Sequence, residues 1–137
     1  MDRPSVLVVD DDRAIRSLLR VVLERAGFEV LTAEDGEQAI TMLASRTFDV
    51  ITLDLMMPKV DGLGVLNYLA DFDPAMLPRV IIVSAAYRSV INEPVFAMIA
   101  KPFDVGDVVA LALECVATSS CTHPSDALPN VQTATWH

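Results

Sequence analysis

The sequence predicts an α/β protein built on a doubly wound sheet of about five parallel strands, and three observations carry that reading. Short unbroken apolar runs rich in β-branched residues recur along the chain, segments of helical period lie between them, and charged residues sit just after the runs. Unbroken runs suit strands covered on both faces. Regular alternation of strand and helix implies right-handed crossovers, which lay helices on both sides of a parallel sheet. A chain of 137 residues suits one ordinary domain with a sizeable core.

The elements follow in order. "VLVV" (Val6–Val9) is the first strand. Ile15, Leu18, Leu19, Val22 and Ala26 then recur at the spacing of one helical face, with Gly27 where a helix C′ residue belongs. "FEVLTA" (Phe28–Ala33) alternates more than the other runs and reads as an edge strand. An Asp35-Gly36 turn leads into a second helix over Glu37–Ser45, through Ala39, Ile40 and Leu43. "VITL" (Val50–Leu53) is the third strand. A helix over Gly62–Phe72 follows, with Leu63, Leu66, Leu69 and Ala70 inward, and Pro74 and Pro78 stop it. "VIIV" (Val80–Val83) and "VFAMIA" (Val95–Ala100) are the fourth and fifth strands, and Pro94 interrupts the connection between them. Asp104 caps a last helix striped by Val105, Val108, Val109, Ala112 and Val116. Beyond it periodicity fades into Ser, Thr, Pro and Asn, so residues 1–118 are expected to form the domain and 119–137 a flexible tail or linker stump.

Composition narrows the function. A hydrophobic share of 53% with 21% charged residues is that of a packed globular chain. A net charge of −9 argues against direct binding of nucleic acid, which needs clustered Lys and Arg. No apolar run has the length of a membrane span or the form of a secretory leader, so a cytoplasmic location is expected. Cys115 and Cys121 lack the spacing of a zinc site and read as reduced structural thiols.

The chemistry gathers at the strand ends. Asp10, Asp11 and Asp12 follow the first strand, Asp54 the third, Ser84 the fourth and Lys101 the fifth. In doubly wound sheets ligands bind beyond the carboxyl ends of the strands, so these residues are expected to meet on one rim. Several carboxylates held together need a compensating cation. Without His or Cys, an aspartate cluster is a hard-oxygen site suited to Mg2+. Asp12 alone fits an N-cap better than a metal ligand. Asp54 is placed to act as a nucleophile toward a phosphoryl group, with Lys101 and a Ser84 hydroxyl to neutralise and hold its oxygens. Taken singly, Ser84 reads equally as a strand-end hydroxyl satisfied by backbone and Lys101 as a solvated surface lysine.

These motifs resemble the receiver domain of two-component response regulators. The acidic pair Asp10-Asp11 after "VLVV", "DVITLDLMMPKVDG" around Asp54, "VIIVSA" ending in Ser84-Ala85, and "KPFD" from Lys101 appear in the family's order, over about Ser5 to Thr118. The resemblance implies a flavodoxin-like fold and a non-enzymatic phosphorelay switch, which catalyses only its own phosphorylation and dephosphorylation. Asp54 resembles the phosphoacceptor, taking its phosphoryl group from the phosphohistidine of a sensor histidine kinase or a phosphotransfer protein. Asp11, Asp54 and the backbone carbonyl of Met56 would bind Mg2+ directly, and Asp10 mainly through a metal-bound water. Ser84 is similar to the hydroxyl residue that moves toward the phosphoryl group, Lys101 to the lysine that pairs with it, and the Lys101-Pro102 bond is usually cis in relatives. Gly62 would let the loop after Asp54 turn into the third helix.

Two departures from the pattern bear on output. Met98 stands where the family usually has a switch aromatic, and the segment between Ser84 and Lys101 is shorter than in relatives, which implies a short, irregular or missing fourth helix. Together they point to an unusual downstream protein or a homodimer, through the first or the last helix. Two alternatives remain. One is a pseudo-receiver that binds partners without phosphorylation. The other is a phosphatase similar to the haloacid dehalogenases, suggested by Asp-x-Asp within Asp10–Asp12 but disfavoured by the absence of room for a cap domain and by Ala14.

Overall fold

The computed structural model describes residues 3–57, 59–85 and 93–120. Their order is β1 (Ser5–Val9), α1 (Arg13–Arg25), β2 (Glu29–Ala33), α2 (Gly36–Ser45), β3 (Val50–Leu53), α3 (Gly62–Phe72), a 3-10 segment (Pro74–Arg79), β4 (Val80–Ser84), β5 (Ala97–Ala100) and α4 (Val105–Ser120). The strands form one parallel sheet in the order β2-β1-β3-β4-β5. Strand order therefore reverses between β1 and β3, and their carboxyl ends border the crevice where such sheets take ligands.

The two faces of the sheet show why its central strands read as continuous apolar runs. Leu7, Val9, Ile51, Leu53 and Ile82 pack under Ala39, Leu43, Val65, Leu66 and Leu69 from α2 and α3. Val6, Val8, Val50, Ile81 and Val83 pack on the other side under Leu19, Leu23, Val108, Ala112 and Cys115 from α1 and α4. Each central strand thus feeds both cores through the alternation of its side chains. β2 lies at an edge, as its weaker pattern predicts. β5 lies at the other edge and spans only Ala97–Ala100, two residues fewer than its apolar run. With a strand neighbour on one side only, three of its four residues are half-buried.

Helix boundaries follow their local chemistry. Asp12, Asp35 and Asp61 cap α1, α2 and α3, each accepting from a backbone amide in the first turn. Asp104 accepts from the Gly106 amide at the start of α4. Gly27, with φ of 103°, takes the left-handed position that ends α1. Two local expectations are corrected. Leu63 does not point inward: the buried stripe of α3 is Gly62, Val65, Leu66 and Leu69, at i, i+3, i+4 and i+7, which leaves Leu63 exposed and Ala70 half-buried. α3 ends at Phe72 ahead of Pro74 and Pro78, as expected; Pro74 starts the 3-10 segment that follows and Pro78 lies inside it. The last helix continues to Ser120, beyond the point where its apolar stripe fades. The expected irregularity of the fourth helix falls on residues 86–92, and the tail on 121–137, outside the described residues.

Gly62 is needed for clearance rather than for turning. Its φ is not in the left-handed region, but a Cβ there would overlap the Asp54 carbonyl oxygen and stand 2.6 Å from the Leu55 Cα. The Gly62 amide meanwhile donates to the Leu55 carbonyl at 3.0 Å, drawing the start of α3 against the end of β3. Gly62→Ala should therefore destabilise the protein by about 1–3 kcal/mol, the usual cost of overpacking against backbone. Urea denaturation measures this; an unchanged midpoint and slope would show that the two segments have room to part.

Candidate functional site

The rim is built from the ends of three strands. Asp10 follows β1, Asp54 follows β3, and Lys101 follows β5, so the sheet itself sets their spacing. The Lys101 Nζ donates to Asp10 Oδ2 at 2.8 Å and to Asp54 Oδ2 at 3.3 Å. Both carboxylates are buried, at 2% and 4% exposure, and these contacts are therefore shielded from solvent. The other oxygen of each aspartate is also held: Asp10 Oδ1 accepts from the Asp12 amide at 2.9 Å, and Asp54 Oδ1 from the Met56 amide at 3.1 Å. Asp11 is exposed beside them, and one carboxylate oxygen from each of Asp10, Asp11 and Asp54 lies within 4.8 Å of the others. Three carboxylates against one ammonium leave two net negative charges in this space if all four groups are ionised.

Burial, more than the charge imbalance, governs the titration of Asp10. Burial pushes the Asp10 carboxyl above the usual carboxylate range, further raised by the field of Asp54, and the hydrogen bonds from Lys101 and the Asp12 amide only partly restore it. Burial also pulls on Lys101 in the direction of the neutral amine, but the hydrogen bond to Asp10 and the charges of Asp10 and Asp54 outweigh it and raise the lysine. Lys101 is thus a fixed cation at neutral pH. Asp10 is the strained member of the cluster.

A divalent cation answers this arrangement. The cluster offers oxygen donors only, and each bound oxygen keeps lone-pair capacity beyond the single hydrogen bond it accepts. Mg2+ takes such ligands at about 2.1 Å in octahedral geometry, so oxygens facing one another across the ion stand about 4.2 Å apart. Three carboxylate oxygens within 4.8 Å of one another are near enough to share one such ion after small side-chain adjustments. The residues present therefore fit Mg2+.

The other expected residues are placed as follows. Ser84 ends β4, is fully buried, and its backbone carbonyl accepts from the Lys101 amide at 3.2 Å. Met56 is exposed two residues beyond Asp54. Asp12 is a cap, accepting from the Ala14 and Ile15 amides. The Lys101-Pro102 bond is cis. Met98 packs half-buried against the core beneath α2 and α3. The direct pairing of Asp10 with Lys101 was not anticipated, since the sequence suggests separate partners for the two.

Two further features escaped the sequence reading. Lys59, with φ of 59°, holds a backbone conformation that few residues other than glycine adopt, and its Nζ lies 3.8 Å from Asp35 Oδ2 and 3.9 Å from Glu37 Oε1. The next residue's carbonyl, that of Val60, accepts from the Gly36 amide at 3.0 Å, so the loop after Asp54 is fastened to the start of α2. Thr52, two residues before Asp54, has a buried hydroxyl that finds no partner among the described residues, and nothing in the structure explains it.

A doubly wound α/β domain with buried aspartates and a lysine gathered at its switch point belongs to the class that takes its ligands at the sheet rim. Within that class, the chain belongs to the response regulator receiver domain family, whose pattern it matches over residues 6–113. Receiver domains are the signalling phosphoacceptors of two-component response regulators. The chain is 39% identical over 121 residues to the DNA-binding transcriptional regulator NtrC of Salmonella typhimurium, a match covering 85% of this chain and 26% of that protein. It is 33% identical over 129 residues to the alkaline phosphatase synthesis transcriptional regulatory protein PhoP of Bacillus subtilis, covering 91% and 53%. The chain therefore spans about a quarter of NtrC and about half of PhoP. Among solved structures, the Francisella response regulator 1452 receiver domain matches at a TM-score of 0.76 and 29% identity, covering 85% of this chain and 98% of that one. The response regulator TrrA from Thermotoga maritima, in complex with Mg2+-BeF, matches at 0.73 and 30%, covering 82% and 98%. No helix among the described residues is long and apolar enough to cross a membrane.

The burial of Asp10 gives a signed expectation. Because the folded-state pKa of Asp10 is raised, its contribution to stability is best below the ordinary carboxylate range and is lost as pH rises through the raised value. Asp10→Asn should accordingly stabilise the metal-free protein at pH 7 by on the order of 1 kcal/mol, since it removes a buried like charge and leaves Lys101 paired with Asp54. The difference should shrink on acidification as wild-type Asp10 takes up its proton. Chemical denaturation in chelator at pH 7 and pH 4.5 measures both effects; a variant less stable than wild type at neutral pH would contradict the assignment.

Proposed function

We propose that the chain is a Mg2+-dependent phosphoacceptor switch, and that Asp54 receives the phosphoryl group. The observation that carries this reading is the placement of Lys101 Nζ between Asp10 and Asp54, at 2.8 and 3.3 Å, beside the three-carboxylate cluster. It is supported by family membership and by the Mg2+-BeF complex of the related TrrA.

In this reading Asp10, Asp11, Asp54 and the Met56 backbone carbonyl would hold Mg2+, with Asp10 acting mainly through a bound water. The ion supplies charge neutralisation for the phosphoryl oxygens. A carboxylate oxygen of Asp54 attacks phosphorus as the phosphorus–nitrogen bond of a phosphohistidine breaks, and the bonding pair stays on the departing imidazole. The donor is a sensor histidine kinase or a phosphotransfer protein. The Lys101 ammonium, already 3.3 Å from Asp54, stabilises the negative charge that gathers on the transferred group. The Ser84 hydroxyl turns toward the new phosphoryl oxygens, coupling the site to the end of β4. Hydrolysis of the aspartyl phosphate resets the domain, so the chain acts on no external substrate.

The switch in this account extends to the end of α4 at Ser120, two residues past the expected boundary of 118, and the remainder is a tail or linker, working in the cytoplasm without insertion into a membrane. Output passes to a downstream protein or a second copy rather than directly to nucleic acid. Leu18 and Val21 on α1 and Leu113 on α4, exposed by 46–47%, favour those helices as the contact face.

Incubation with acetyl phosphate and Mg2+ followed by intact mass measurement tests the reading. Wild type should gain one phosphoryl group, Asp54→Asn none, and Lys101→Ala should be phosphorylated at least about tenfold more slowly, since loss of one preorganised charge at a transferring group costs a few kcal/mol. An adduct that persists in Asp54→Asn, or no adduct in wild type, would sink it; the latter outcome is the one a phosphorylation-independent binding module gives.

A further inference from the structure

One contact to the rim comes from outside it. Arg16, near the start of α1, donates from Nη1 to the backbone carbonyl of Asp10 at 2.8 Å. The side chain is half-buried, and its guanidinium forms no ion pair among the described residues. Its placement is therefore set by a main-chain acceptor and not by the neighbouring carboxylates.

The carbonyl it holds belongs to the peptide joining Asp10 to Asp11. Everything around that peptide is pinned: the Asp10 amide donates to the Ala33 carbonyl at 3.2 Å, Asp10 Oδ1 and Oδ2 are taken by the Asp12 amide and Lys101, and Asp12 caps α1. Asp11 differs. Its carboxylate is exposed and accepts no hydrogen bond among the described residues, so the backbone alone sets where its Cα–Cβ bond points and which rotamers bring the carboxylate to the rim. Fixing the Asp10 carbonyl fixes the plane of the peptide, and with it Asp10 ψ and Asp11 φ.

We infer that Arg16 is a positioning residue for the cation site. It locks the Asp10–Asp11 peptide so that the otherwise unsupported Asp11 carboxylate faces the space shared with Asp10 and Asp54. This rests on the reading of that space as a Mg2+ site. The inference makes a prediction whose sign is informative. Arg16 is a cation, so by charge alone its removal should tighten Mg2+ binding. If it acts by positioning, its removal should weaken binding, as loss of a residue that orients a ligand commonly does by 10- to 100-fold.

The test is the Mg2+ dissociation constant of the full chain by calorimetry, at fixed ionic strength, with thermal unfolding of each variant to confirm folding. Arg16→Ala should bind about tenfold more weakly. Arg16→Lys, which keeps a donor but not the planar fork, should recover part of the loss. Arg13→Ala, which removes an equal charge from the same helix without touching Asp10, should bind as tightly as wild type or slightly more so. Phosphorylation by acetyl phosphate should separate in the same way, with Arg16→Ala needing more Mg2+ for half-maximal rate while keeping the rate at saturation. Affinity in Arg16→Ala equal to or tighter than wild type would overturn the positioning role. Should Arg16→Ala not fold, Arg16→Gln repeats the test of sign: weaker binding supports the role and equal or tighter binding overturns it. If wild type itself binds no Mg2+, the site reading fails and this inference falls with it.

Discussion

A single ammonium bridging two buried carboxylates is the interaction on which the rim depends. Lys101 is 91 residues from Asp10 and 47 from Asp54 in sequence, and the sheet brings all three within hydrogen-bonding distance. One lysine does not balance three aspartates. The surplus negative charge makes the rim receptive to a cation, and burial makes it costly to leave uncompensated. The same site is thus a weak point of the metal-free fold and the place where binding energy can enter it.

The fold supplies this arrangement through backbone geometry more than through side-chain packing. Strand order reverses between β1 and β3, so Asp10 and Asp54 end adjacent strands and face a common crevice. α1 begins at Arg13, just after Asp10, so its partial positive end lies near the acidic rim. Gly62 brings α3 against the end of β3, and the Gly36–Val60 hydrogen bond ties down the far side of the same loop. The aspartates of the rim consequently take separate roles. Asp12 satisfies helix amides, Asp10 is buried against Lys101, and Asp11 remains exposed, free of hydrogen-bond partners among the described residues.

What could be read in advance follows from where each signal resides. "VLVV", "VITL" and "VIIV" announce buried parallel strands because their neighbours on both faces leave no room for polar residues, and all three lie inside the sheet. The Asp12 and Asp104 caps were legible because capping is chemistry between near neighbours. The inward face of α3 was misjudged at Leu63 because two apolar stripes overlap in "LGVLNYLA", and only packing against β3 and β4 chooses between them. The rim's membership was legible from strand ends, whereas its pairing was not. Whether Lys101 faces Asp10, Asp54 or solvent depends on a few ångströms of register across three strands. Arg16 carried no signal at all, since an arginine on an amphipathic helix ordinarily reads as a solvated charge, and its partner is a backbone atom.

The central claim is that Asp10 carries the cost of burying a carboxylate at the acidic rim and that a divalent cation relieves it. Carbon-13 NMR titration of the aspartate carboxyl groups, in chelator and then in saturating Mg2+, examines this one group at a time. In chelator Asp10 should titrate above the usual carboxylate range, and Mg2+ should move it down, because a bound cation favours the ionised form. An Asp10 that titrates in the ordinary range without metal, or that does not respond to Mg2+, would contradict the account.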